Sequence, residues 1–137
     1  MNRSENKNAI FTKGEKTSPD YFTGTSWLKV LVPMDETGSY TIGNVEFEPG
    51  CRNNWHTHPA GQILLVTEGK GYYQERGKPA RLLAKGDVVV IPSTIEHWHG
   101  ARHDSSFTHI AISNITEKGA VNWLAPVTDE EYNRVKE

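Results

Sequence analysis

Turn residues interrupt this chain at short, regular intervals, and that spacing constrains the fold more than any other feature. Pro33, Gly38, Pro49-Gly50, Pro59-Ala60-Gly61, Gly77-Lys78-Pro79, Gly86 and Pro92 punctuate the chain. The segments between them are rich in β-branched and aromatic residues. Trp27-Leu-Lys-Val-Leu-Val32 is β-rich and stops at Pro33. Ser39 to Glu48 alternates, with Thr41, Gly43, Val45 and Phe47 on one face and Ile42, Asn44, Glu46 and Glu48 on the other. Gln62 to Glu68 is apolar on both faces, as a buried strand would be, and Gly69-Lys-Gly71 reads as a tight hairpin into Tyr72-Tyr-Gln-Glu75. Val88-Val-Val-Ile91 is closed by Pro92. Phe107-Thr-His-Ile-Ala-Ile-Ser113 is the last clear strand, with Phe107, His109, Ala111 and Ser113 sharing a face. Asp35 to Gly38 reads as a loop. Helix is expected only at the end, where Thr128-Asp-Glu-Glu131 is a capping box opening a short helix through Tyr132 and Val135. Short strands with turns roughly every 8 to 12 residues predict an all-β sandwich or small barrel.

The chain of 137 residues suffices for one domain with a real core. That domain is expected over 19–137, after a polar, aperiodic arm at 1–18 that is mobile or ordered only against a partner. A charged fraction of 23% and a formal net charge of -2 argue against nucleic acid or an anionic membrane surface as partner. No apolar run reaches the ~20 residues of a spanning helix, and the first residues lack the apolar core of a secretory signal. The single cysteine, Cys51, excludes an internal disulfide, fits a reducing cytoplasm, and reads as a small packed residue rather than a ligand. Exposed sheet edges and the N-terminal arm favour a homo-oligomer, a dimer or tetramer.

Chemistry concentrates in two stretches. In Trp55-His-Thr-His-Pro59, His56 and His58 stand two residues apart, so on a strand both point to one face and can grip one ion. Gln62 has the same parity and approaches from the start of the next strand. His97 lies in Glu96-His-Trp-His-Gly100. Three imidazoles and one oxygen donor suit a divalent transition metal; manganese, iron, cobalt, nickel, copper and zinc all accept such donors. His99 shares parity with His97, and two readings stay open: a partner or pocket donor that orients a ligand, or an exposed strand residue. Trp98, on the opposite face, reads as core, and His103 as solvated. His109 has small residues beside it on its strand face and reads as a general base or acid, its imidazole titrating near ~6.5 when unperturbed. Gly69-Lys-Gly71 lacks the following helix of a phosphate loop, and no nucleophile turn is present.

The two stretches resemble the paired motifs of the cupin family. Gly50, His56, His58, Gln62 and Gly69 fit every spacing of its first motif, with Gln62 in place of the usual glutamate. Gly86, Pro92 and His97 fit the second, with Thr94 and Ala101 where glycine and asparagine are usual. The resemblance implies a double-stranded β-helix, the jelly-roll barrel of the cupins, here with a short C-terminal helix. Phe22-Thr-Gly-Thr25, Phe47-Glu-Pro-Gly50, His97-Trp-His-Gly100, Ala120-Val-Asn-Trp123 and Val127-Thr-Asp-Glu-Glu-Tyr132 are similar to the bacterial manganese-dependent hydroxynitrile lyases. Those are small cupins, akin to ones associated with carboxymuconolactone-decarboxylase-like domains. That likeness implies manganese on His56, His58, Gln62 and His97, with His109 as a pocket histidine and Gly43, Val45 and Ser113 on the pocket wall. It also implies cleavage of small-molecule cyanohydrins such as mandelonitrile to aldehyde and cyanide. Two other functions remain open: a cupin dioxygenase acting on a small aromatic or thiol substrate, and a non-enzymatic, metal-stabilised ligand-binding module.

Overall fold

The computed structural model describes residues 9–135. In chain order its elements are β1 (Glu15–Lys16), β2 (Phe22–Thr23), β3 (Ser26–Val32), α1 (Met34–Thr37), β4 (Tyr40–Phe47), β5 (Arg52–Asn53), β6 (His56–Thr57), β7 (Gln62–Glu75), β8 (Arg81–Ala84), β9 (Val88–Ile91), β10 (His97–Ala101), β11 (Phe107–Asn114), β12 (Asn122–Trp123) and α2 (Asp129–Val135). Every named strand pair is antiparallel, and one ladder runs β1-β3-β4-β11-β7-β10-β5-β2. The predicted all-β barrel with a short terminal helix is what the chain forms. Of the arm expected at 1–18, residues 1–8 lie outside the described residues, and Glu15 and Lys16 pair with Leu28 and Trp27 of β3.

The ladder closes into two facing sheets because β7 belongs to both. Its first half pairs with β11 and β9, its second half with β10 and β8. The hairpin expected at Gly69-Lys-Gly71 is therefore absent; β7 runs unbroken from Gln62 to Glu75. The glycines serve close approach instead of chain reversal. Gly69 has a positive φ of 75°, and a β-carbon there would strike the Ser106 carbonyl, while one on Gly71 would strike the Gly100 carbonyl and the Phe107 ring. A bulge falls beside this bend. Thr108 pairs with Glu68 but His109 pairs with Val66, so Thr67 is the extra residue. It switches the parity of β7: Leu64 and Val66 face the core before it, Tyr73 after it, and Tyr72 turns outward.

Between the sheets lie Val45, Phe47, Leu64, Val66, Leu83, Val89, Ile91 and Phe107, with Cys51 fully buried beside them. A second cluster of Trp55, Tyr72, Trp98, Val127 and Tyr132 sits under α2. The capping box forms as expected: Glu131 N donates to Thr128 Oγ1 at 3.1 Å and Thr128 N to Glu131 Oε1 at 3.0 Å. Buried Arg52 fixes the segment leading into α2, donating to the Val127 carbonyl and to Asp129. The loop expected at 35–38 contains a helical turn, α1. Gly38, at φ 71°, ends it by donating its N–H to the Met34 carbonyl at 3.0 Å. No described helix is long and apolar enough to cross a membrane.

Candidate metal centre

Five of the six histidines are buried together: His56, His58, His97, His99 and His109, whereas His103 is exposed in its loop. Strand pairing places them. His56 on β6 is the direct partner of His97 on β10, and its ring centroid lies 4.2 Å from that of His97 and 4.9 Å from that of His58. His58 and His97 are 5.3 Å apart. Gln62 is the first residue of β7.

Backbone carbonyls set the tautomers. Nδ1 of His56 bonds the Asn54 carbonyl at 2.7 Å, Nδ1 of His58 the Ala120 carbonyl at 2.7 Å, and Nδ1 of His97 the Ile95 carbonyl at 2.9 Å. A carbonyl only accepts, so each Nδ1 carries the proton and each Nε2 keeps its lone pair. Gln62 does the same with its amide: Nε2 donates to Ser113 Oγ at 2.8 Å. Among the described residues, His58 Nε2, His97 Nε2 and Gln62 Oε1 are buried with no hydrogen-bond partner. Buried acceptors left empty are costly, and orienting a metal-binding imidazole through its other nitrogen is how proteins hold such ligands. Burial and mutual repulsion push His56 far below the ordinary imidazole range; burial lowers His58 and brings His97 to about 4. All three are therefore neutral and free to bind a cation. The donor set fits a divalent transition ion.

His99 and His109 form a second pair. His109 Nε2 and His99 Nδ1 are 3.1 Å apart, with His109 walled by Phe47 and Phe107. One nitrogen from each of His56, His97 and His99 lies within 4.8 Å of the others, so His99 is a candidate ligand beside His58. His58 is the better donor because its Nε2 is unpartnered, whereas Nδ1 of His99 is engaged by His109 and its ring faces the Asn53 amide. Of the two readings of His99, the exposed one is excluded. The titration near 6.5 expected for His109 is also absent: burial pushes it down to about 3.

A cavity of about 240 Å³ opens onto this cluster, touching His56, His58, Gln62, His99 and His109. Gly43, Val45 and Ser113 lie on its wall. Its other walls are mainly apolar and carry no carboxylate, lysine or arginine among the described residues. A larger hollow of about 500 Å³ between Trp55, Arg76 and α2 contains none of the histidines. Sequence reasoning missed Asn53, Leu28 and Val30 on the cavity wall. Phe22 and Trp123 were visible only through the resemblance, because pairing of β2 with β5 and of β12 with β6 brings them in from distant positions.

A family profile described as the cupin domain matches residues 43–113, more than half of the chain. The chain is a cupin. It is 41% identical over 119 residues to an (R)-mandelonitrile lyase from Granulicella tundricola, covering 87% of this cupin and 91% of that protein. Among solved structures, a cupin-like protein from Thermotoga maritima superimposes with a TM-score of 0.91 at 52% identity, covering 94% of this cupin and 98% of that chain. A DMSP lyase from Ruegeria pomeroyi shares the fold at a TM-score of 0.64 and 21% identity, covering 88% of this cupin and 62% of that chain.

Proposed function

We propose that this cupin is a metal-dependent hydroxynitrile lyase, splitting cyanohydrins of the mandelonitrile type into an aldehyde and hydrogen cyanide. One observation carries the reading: neutral donor groups, three imidazoles oriented by backbone carbonyls and one amide by the Ser113 hydroxyl, cluster beside an apolar cavity that also touches a hydrogen-bonded histidine pair. The likeness to a mandelonitrile lyase over most of both chains supports it. In this reading His56, His58 and His97, through Nε2, and Gln62, through Oε1, hold the ion, with manganese as the first choice. When bound, such an ion supplies Lewis-acid polarisation of oxygen, and its charge is undiminished because every ligand is neutral.

The chain's own residues do the rest. The apolar walls take the hydrocarbon part of the substrate. The hydroxyl proton passes to the His99–His109 pair, whose hydrogen bond at 3.1 Å lets the two rings share the charge. The O–H electron pair becomes the second bond of the carbonyl, and the C–CN bond breaks with its electrons leaving on cyanide. His109, hard to protonate in its buried setting, gives the proton back readily, and the leaving group departs as hydrogen cyanide. The test is benzaldehyde release from mandelonitrile by the manganese-loaded protein and by His109→Ala. Loss of turnover with retained metal is expected. Full turnover in that variant would remove the pair from the mechanism, and metal-dependent oxygen consumption without benzaldehyde would replace the lyase with a dioxygenase.

A further inference from the structure

We propose that Asn53 is a positioning residue that decides which ring nitrogens of His99 and His109 carry their protons. Asn53 is buried on β5, on the cavity wall, and no motif singled it out. His99 N lies 2.9 Å from Asn53 Oδ1. A backbone N–H only donates, so this contact fixes which end of the amide is oxygen. The amino end is thereby held 3.3 Å from both His99 Nδ1 and His99 Nε2, and it too can only donate.

Proton counting then selects one arrangement. A neutral imidazole offers one N–H and one lone pair. If His109 Nε2 donated to His99 Nδ1, the His99 proton would sit on Nε2. The Asn53 amino group would then face an N–H and a lone pair already in use. In the opposite order the Asn53 amino group has one free acceptor, the His99 Nε2 lone pair, and the proton on His99 Nδ1, which the amino group also nears, points to His109 Nε2. His109 then keeps its proton on Nδ1, a buried nitrogen with no partner among the described residues in either order. That atom does not discriminate between the orders, so Asn53 does. The tautomer assignment does not rest on the lyase reading.

The experiment is imidazole nitrogen NMR on the full chain labelled with ¹⁵N-histidine, metal-free and zinc-loaded, for wild type, Asn53→Ala and Asn53→Asp. Wild type is expected to show protonated-type Nδ1 in both His99 and His109. Asn53→Asp, which can only accept, is expected to swap both rings to Nε2–H. Asn53→Ala is expected to give mixed tautomers for that pair, while His56, His58 and His97 stay on Nδ1–H. Should the aspartate variant not fold, the alanine variant decides alone. Protonated-type His99 Nε2 in wild type, or tautomers unmoved by the substitutions even with a lowered Tm, would overturn the assignment. Wild-type protein that shows the expected tautomers yet does not cleave mandelonitrile keeps this inference and removes the lyase.

Discussion

His56 and His97 face each other across β6 and β10, and each donates its Nδ1–H to the carbonyl two residues before it, Asn54 and Ile95. Two strands thus present two imidazoles in the same tautomer, with lone pairs exposed before any ion arrives. Preorganisation of this kind makes each ring matter. His56→Ala or His97→Ala should weaken divalent-metal binding by at least about 100-fold, by analogy with ligands held through outer hydrogen bonds. Competition against a chelating dye measures it. Unchanged affinity in either variant would mean that the ion binds elsewhere.

Gln62 keeps the site uncharged. Its Nε2 donates to Ser113 Oγ, and a serine hydroxyl can reverse that bond and donate to a carboxylate. Gln62→Glu should therefore fold normally, bind the ion more tightly, by roughly tenfold, and turn over cyanohydrin more slowly, because one negative charge now offsets the ion. The same dye competition and benzaldehyde assay report both quantities. Weaker binding in the glutamate variant contradicts the assigned role.

Thr94 has a positive φ of 66°, which a β-branched residue adopts only under strain. It occupies the place where the resembling motif has glycine, and its N–H holds the His58 carbonyl at 3.0 Å. The left-handed conformation costs about 1–2 kcal/mol with a β-carbon, and glycine costs about 0.5–1 kcal/mol of backbone entropy. Thr94→Gly should raise stability by about 0.5–1 kcal/mol in urea unfolding. Thr94→Ala keeps a β-carbon and should gain nothing; an equal gain from alanine would show that φ is not the cause.

Much of this was legible in sequence because it rests on short-range rules. Strand parity put His56 and His58 on one face, turn residues marked most strand ends, and the capping box located α2. What escaped depends on distant partners. Gly69 and Gly71 look like a turn locally, and only Ser106, Gly100 and Phe107 pressing on them show why β7 continues. His109 was legible as a pocket residue but not as a buried one that resists protonation, since that follows from the Phe47 and Phe107 walls. Asn53 left no trace, because its role comes from β5 lying beside β10.

Acid stability follows from His109. Its folded pKa of about 3 lies below the unfolded value near 6.5, so above that pH both states are neutral and it contributes nothing to the pH dependence. As pH falls from 6.5 towards 3 the unfolded chain takes up a proton that the folded one refuses, and stability drops by up to about 1.4 kcal/mol per pH unit for this one group. Its neighbours Phe47, Phe107, Val45, Val66 and His99 include no carboxylate to offset this. Metal-free His109→Gln should show a shallower fall in urea midpoint across that window than metal-free wild type. Equal slopes would sink the claim.

The most direct test of the central claim is mandelonitrile cleavage by protein stripped of metal and then reloaded with manganese. The stripped protein is expected to release no benzaldehyde, the reloaded protein to release it again, and reloaded His56→Ala to release none. Folded, manganese-loaded protein that releases benzaldehyde no faster than buffer would contradict it.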